Sequence, residues 1–182
     1  VVEEGLEYGP AKRRAVKQLG LGGRAALPTN EVLDDAVLEY IAVFCADTQP
    51  HELRALRRLA LVWMDRLAVF RPYLGGAVWH GTATKNSDIY LQLFCDDCKS
   101  AEIALIDQKV RYVPRTVIGF TGESVEALSV HAFCAELKQD IGVHLMVYDF
   151  DDVRGALRPN AKGRVPRGDA VAVRRLLQEV SA

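Results

Sequence analysis

The chain lacks any apolar run approaching the ~20 residues that a membrane-crossing helix requires, so a helical span is excluded. It has no basic, apolar and small-residue succession of the secretory type, and a cytoplasmic protein without membrane contact is expected. The chain starts Val1-Val2 without methionine, so part of a native N-terminus is expected to precede it. No G-x-x-x-x-G-K-[ST] run occurs, which removes that phosphate-cradling loop from consideration. Cysteine is scarce: Cys45, Cys95, Cys98 and Cys134. Only Cys95-Asp96-Asp97-Cys98 has a ligand-like spacing. A zinc site would want a second pair, so reduced, unpaired thiols are expected instead. No internal repeat and no low-complexity tract is found.

An excess of one charge is missing too, with 23 basic side chains against 24 acidic ones. Their distribution is uneven. Residues 1–71 balance ten against ten, residues 72–152 hold six basic and twelve acidic, and residues 153–182 hold seven basic and two acidic. A basic tail beside an acidic middle is read as self-complementarity. Contact with phosphate or nucleic acid is the alternative.

What is present is a helical first part and a strand-rich second part. Pro10 suits a first helical turn leading into AKRRAVKQLG, which stops at a Gly20–Gly23 loop. Asn30 is expected to cap EVLDDAVLEYIAVF, with acids early in the helix where its dipole favours them. Thr48 is expected to cap a third helix with Pro50 in its first turn. Leu53, Leu56, Ala60, Trp63, Leu67 and Phe70 recur there at three- and four-residue steps, one apolar stripe. Arg54, Arg57, Arg58 and Asp65 are read as its solvated face, and Pro72 ends it.

Short apolar runs then predict strands at 74–79, 88–95, 110–114, 116–120, 126–133 and 142–149, with a helix over 99–108 and a turn at Thr121-Gly122-Glu123. RPNAKGRVPRGD reads as loop, and Asp169 caps a closing helix, AVAVRRLLQEV. Helices first and a mixed sheet afterwards predict an α+β fold, with a helical region 1–71 and an α+β domain 72–182.

One stretch is more specific. Gly76 to Leu91 reads G-A-V-W-H-G-T-A-T-K-N-S-D-I-Y-L. It resembles the signature of the nucleotidyltransferase fold, the polymerase-beta-like superfamily. That signature has a G-S pair, a glycine shortly after, and a polar loop ending S-D-hydrophobic-D-hydrophobic. Gly76, Gly81, Ser87, Asp88, Ile89 and Leu91 match it without a gap. Over most of its length, through FRPYLGGAV, GTAT, SDIYLQLF and VPRGDA, the chain also resembles small proteobacterial nucleotidyltransferase-domain proteins. The resemblance implies a nucleotidyltransferase-like mixed sheet.

It also implies a site. Asp88 carries over as the catalytic and metal-binding carboxylate. Gly75, Gly76, Ala77, Gly81 and Ser87 of the glycine loop carry over as the surroundings of a nucleotide, and the polar side of the strands adds His80, Tyr90, Gln92 and His144 as the rest of a retained pocket. Active members hold two Mg²⁺ ions about 4 Å apart. Their carboxylates stand at i and i+2 because alternate residues of a strand share a face. Here Tyr90 stands at i+2, Ala77 replaces the serine, and His144 stands where a third acid would be wanted. Mg²⁺ prefers hard oxygen ligands, so its binding at Asp88 is expected to be weak.

Three readings follow: a degenerate site that binds a nucleotide, a nucleotide-bearing ligand or a partner; an active Mg²⁺-dependent nucleotidyltransferase using Asp88 with displaced acids such as Asp149; or an interaction module, with the N-terminal helices forming a partner or homo-oligomer interface. On the sheet, Asp88, Tyr90 and Gln92 share one side, while Ser129 with His131 and His144 with Tyr148 share sides of their own strands. A transition-metal site from His131, His144 and Asp88 is a further alternative.

Overall fold

The computed structural model describes residues 1–6, 8–21, 26–159 and 163–179. Within the expected loops and closing helix, Gly22, Gly23, Asn160, Ala161, Lys162 and Val180 lie outside the described residues. Three helices come first: α1 (Tyr8–Gln18), α2 (Asn30–Phe44) and α3 (Gln49–Arg66). The rest is β1 (Tyr73–Gly75), α4 (Gly76–His80), β2 (Ile89–Cys95), α5 (Lys99–Asp107), β3 (Val113–Ile118), β4 (Ser124–Cys134), β5 (Gln139–Asp149), α6 (Val153–Ala156) and α7 (Ala170–Glu179). The fold class is α+β. No described helix is long and apolar enough to cross a membrane.

Local chemistry places most boundaries. The α2 cap is Thr29 rather than Asn30: its hydroxyl accepts the Val32 N–H at 3.3 Å. Asn30 is the first helical residue, and its side-chain oxygen accepts from Lys12. Thr48 does precede α3, but its hydroxyl makes no capping bond, so Pro50 in the first turn carries the start. Asp169 caps α7 as expected, accepting the Ala172 N–H at 2.8 Å.

Two strand expectations are corrected. The run 74–79 is strand only to Gly75. Gly76 then adopts φ 65°, which β-branched and bulky residues resist, and the chain turns into α4. The segments 110–114 and 116–120 give a single strand, β3, over Val113–Ile118 only, and Pro114 is tolerated in it because β3 is an edge.

The sheet order is β1-β2-β5-β4-β3, with β2 and β5 parallel and every other pair antiparallel. One face is apolar: Ile89, Leu91 and Leu93 of β2, Val143 and Leu145 of β5, and Leu128 and Val130 of β4 are all buried. Leu56, Ala60, Trp63 and Met64 of α3 and Val173 of α7 belong to the same core. Hence α3 is built into the core of the 72–182 sheet, and the boundary at 71/72 does not separate two cores.

Arg57 corrects the reading of α3's charged face. It is 7% exposed and donates to the carbonyls of Val78, at 3.1 Å, and Trp79, at 3.3 Å. Gln49 is also buried and donates to Gly81 and Ala83 carbonyls at 3.0 and 2.8 Å. Together they satisfy backbone acceptors left over where α4 ends, which buried chain requires. Loop 76–84 is thereby fixed against α3.

Candidate functional site

The opposite face of the sheet carries the chemistry. Strand register puts Tyr90, His144 and Ser129 in one row across β2, β5 and β4. Their rows agree with the face assignments made from alternation. That face is divided. At one end Phe94, Tyr148 and Ala156 form a second apolar cluster with Tyr73, Phe120, Met146 and Phe150 packed against it. At the other end lie Asp88, Tyr90, Ser129, His131 and His144.

Asp88 is the centre of that polar end. Its Oδ1 accepts the Gly142 N–H at 3.1 Å, and its Oδ2 lies 3.1 Å from His144 Nε2. Gly142 permits this: a Cβ built there would stand 2.6 Å from Asp88 Oδ1. Burial is the largest influence on the carboxyl and pushes its pKa up. The His144 hydrogen bond and charge, the Gly142 N–H and the His131 charge together outweigh it, so the pKa lies below the ordinary value. The Tyr90 ring is 4.8 Å from the His144 ring.

His144 Nδ1 is 2.9 Å from Ser129 Oγ. Asp88, His144 and Ser129 thus form a hydrogen-bonded chain over three strands, in the order used for nucleophilic acyl transfer. The surroundings do not match that chemistry. Ser129 is 6% exposed, and its strand is paired on both sides, which commits nearby N–H groups to the ladder instead of an oxyanion. The chain holds His144 in place and fills the polar end of the sheet.

The residues do not fit a two-metal centre. Both Asp88 oxygens are engaged within the protein, Tyr90 has no carboxylate, and His144 takes one Asp88 oxygen as a hydrogen-bond partner. Among the described residues no group of three or more His, Cys, Asp or Glu side chains is arranged to hold a metal ion. The candidate site of His131, His144 and Asp88 is therefore not formed. Asp149 pairs with Cys95 in the register that sets Ile89 against Val143, so it sits at the far end of the strand. At ~3.3 Å per residue, the seven residues from Asp88 to Cys95 put it about 23 Å from Asp88. The acids that share a shallow cleft with Asp88 are Glu3, Glu4 and Asp140.

The glycine-loop residues are gathered elsewhere. Gly76, Ala77 and His80 line a cleft of about 390 Å³ against Tyr8, Asn30 and Asp34 of the N-terminal helices, with Pro166 and Arg167 on the C-terminal side. His80 Nδ1 lies 3.9 Å from Asp34 Oδ2, and the Tyr8 hydroxyl donates to Asp34 Oδ1. Gly81, with φ 86°, terminates α4 and is bonded to Gln49. Ser87 is buried, its hydroxyl accepting the Thr84 N–H at 3.1 Å, a loop-closing role. Gly75 packs on Gln92, whose amide nitrogen would be 3.0 Å from a Cβ at that position. Gln92 is buried, and its Oε1 has no partner. Of the candidate residues, Gly76, Ala77 and His80 meet in the α4 cleft and Ser87, Asp88, Tyr90 and His144 lie at the Asp88 end of the sheet, while Gly81, bonded to Gln49, and Gly75, packed on Gln92, line neither cleft.

Sequence reasoning missed three residues that shape this region: Gln49, Arg57 and Arg167. For the first two a signal existed, since Gln49 stands four residues before Leu53, within the apolar stripe, and Arg57 four residues after it, at the stripe's margin. Arg167 stood in a loop among other basic residues and gave none. The Cys95–Cys98 pair is unremarkable: Cys95 is buried, and burial, aided by Cys98, Asp96 and Asp97, pushes its thiol up to about 11. No family model, no curated protein and no solved structure matches the chain.

Proposed function

We propose that this chain is a nucleotidyltransferase-fold protein that binds a nucleotide, or a ligand bearing one, without performing standard two-metal transfer. The observation that carries the reading is the state of Asp88: each carboxylate oxygen already has a partner within the protein, Gly142 or His144, and a phenol occupies the position where the second acid is needed. The cleft beside α4 supports the binding half of the proposal. Its volume falls within the range of small-molecule sites, roughly 300–1,000 Å³. Gly76 and Ala77 line it with nothing larger than a methyl group.

Calorimetry with ATP, GTP, CTP and UTP, each with Mg²⁺, tests the binding. A labelled-nucleotide transfer assay with Asp88→Asn as control then separates binder from enzyme. Binding without transfer is the expected result. Robust transfer that Asp88→Asn abolishes would replace this reading with an active nucleotidyltransferase, in which Glu3, Glu4 or Asp140 supply the missing acids. Failure of all four nucleotides to bind would favour an interaction module, for which α2 offers Val43 and Phe44, 72% and 69% exposed.

A further inference from the structure

Among the described residues, Arg167 is a buried cation without a counterion. It is 9% exposed, and its Nε and Nη1 are both buried with no hydrogen-bond partner. Its Cζ lies 4.4 Å from the centre of the Phe120 ring, which in turn lies against Tyr148 with ring centres 4.6 Å apart and planes tilted by 40°. Burial pulls the guanidinium pKa down, with only Tyr148 acting in the other direction, so no carboxylate compensates it.

The loop around Arg167 is pinned on both sides. Trp79 Nε1 donates to the Val165 carbonyl at 2.8 Å. Gly168 and Leu74 exchange backbone hydrogen bonds at 2.8 and 2.9 Å, adding the loop to the β1 edge. Gly168 is required there, because a Cβ would stand 2.2 Å from the Trp79 ring. A charge held this firmly out of water, with unused donors, is unfavourable until an oxyanion meets it. Planar guanidinium groups match phosphate oxygens better than any other side chain does.

Arg167 lines the α4 cleft together with Gly76, Ala77 and His80. The cleft also holds two acids of α2, Glu31 and Asp34; Asp34 accepts from Tyr8 and faces His80, and no ion pair joins either acid to Arg167 among the described residues. We propose that Arg167 anchors a phosphate or pyrophosphate group of the ligand that enters this cleft. The proposal rests on the cleft being the ligand site, as above, and not on the ligand having a nucleoside.

Thermal shift and calorimetry with inorganic phosphate, pyrophosphate and ATP, against chloride at matched ionic strength, test it on the wild-type chain, Arg167→Met and Arg167→Lys. Pyrophosphate and ATP are expected to raise the wild-type melting temperature and to bind both variants at least about tenfold more weakly, since lysine lacks the planar donors. Without ligand, Arg167→Met should melt at or above the wild-type temperature, because an uncompensated buried charge has been removed. Wild-type protein that ignores every oxyanion, or variants that bind pyrophosphate as tightly as wild type, would overturn the proposal. Should Arg167→Met not fold, Arg167→Lys, which keeps the stem and the charge, decides alone. Pyrophosphate bound through Arg167 with ATP no tighter would keep this anchor and remove the nucleoside; nucleotides bound equally by the variants would do the reverse.

Discussion

Replacing Asp88 distinguishes an internal anchor from a metal ligand. In Asp88→Ala the Gly142 N–H and His144 Nε2 both lose their partner. A hydrogen bond to a charged group contributes about 1.5–3 kcal/mol. The Asp88 side chain is 46% exposed, so water replaces part of each bond. A total loss of about 1–2 kcal/mol follows, or a fall of about 3–6 °C in Tm for a domain of this size. Asp88→Asn keeps one acceptor and should lose less. The pH dependence has a definite sign. The folded-state pKa lies below the unfolded value of roughly 3.9. The carboxylate therefore stabilises the fold fully above that value and ceases to do so as pH falls through the folded pKa. The wild-type advantage over Asp88→Asn should be constant above about pH 5 and shrink in more acidic buffer. Differential scanning fluorimetry from pH 3 to 8, with and without millimolar Mg²⁺, measures both effects. A variant that melts above the wild type, together with Mg²⁺ stabilising only the wild type, would show that Asp88 is a strained metal ligand and refute the reasoning.

Further outcomes are expected elsewhere. Arg57→Met leaves the Val78 and Trp79 carbonyls without their side-chain donor and should cost about 2–3 kcal/mol in urea unfolding; a solvated arginine would cost almost nothing. Gly168→Ala drives a methyl into the Trp79 ring and should cost about 1–3 kcal/mol, with a change in tryptophan fluorescence as the indole shifts. Alkylation at pH 8 should label the exposed Cys98 quickly and leave Cys95 protected until urea unfolds the chain, and equal rates would contradict the burial and raised pKa of Cys95.

The order of helices and strands, the α+β class and the two-faced character of β2 were readable from periodicity, because alternation and 3.6-residue spacing are local properties of the chain. So was the absence of carboxylates at Tyr90 and His144, which is a matter of residue identity alone. The α4 turn was not, since Gly76 is a strand residue by its neighbours, and only its positive φ turns the chain out of the strand and into α4. Nor was the burial of Arg57 and Arg167. A charged side chain reads as solvated until tertiary packing brings carbonyls to one and an aromatic ring to the other. The sequence alone determined which groups this protein possesses. Only the folded sheet decided that Asp88 meets Gly142 and His144, 54 and 56 residues away. Pairing between distant strands is fixed by the register that buries one apolar face, and no local window contains that information.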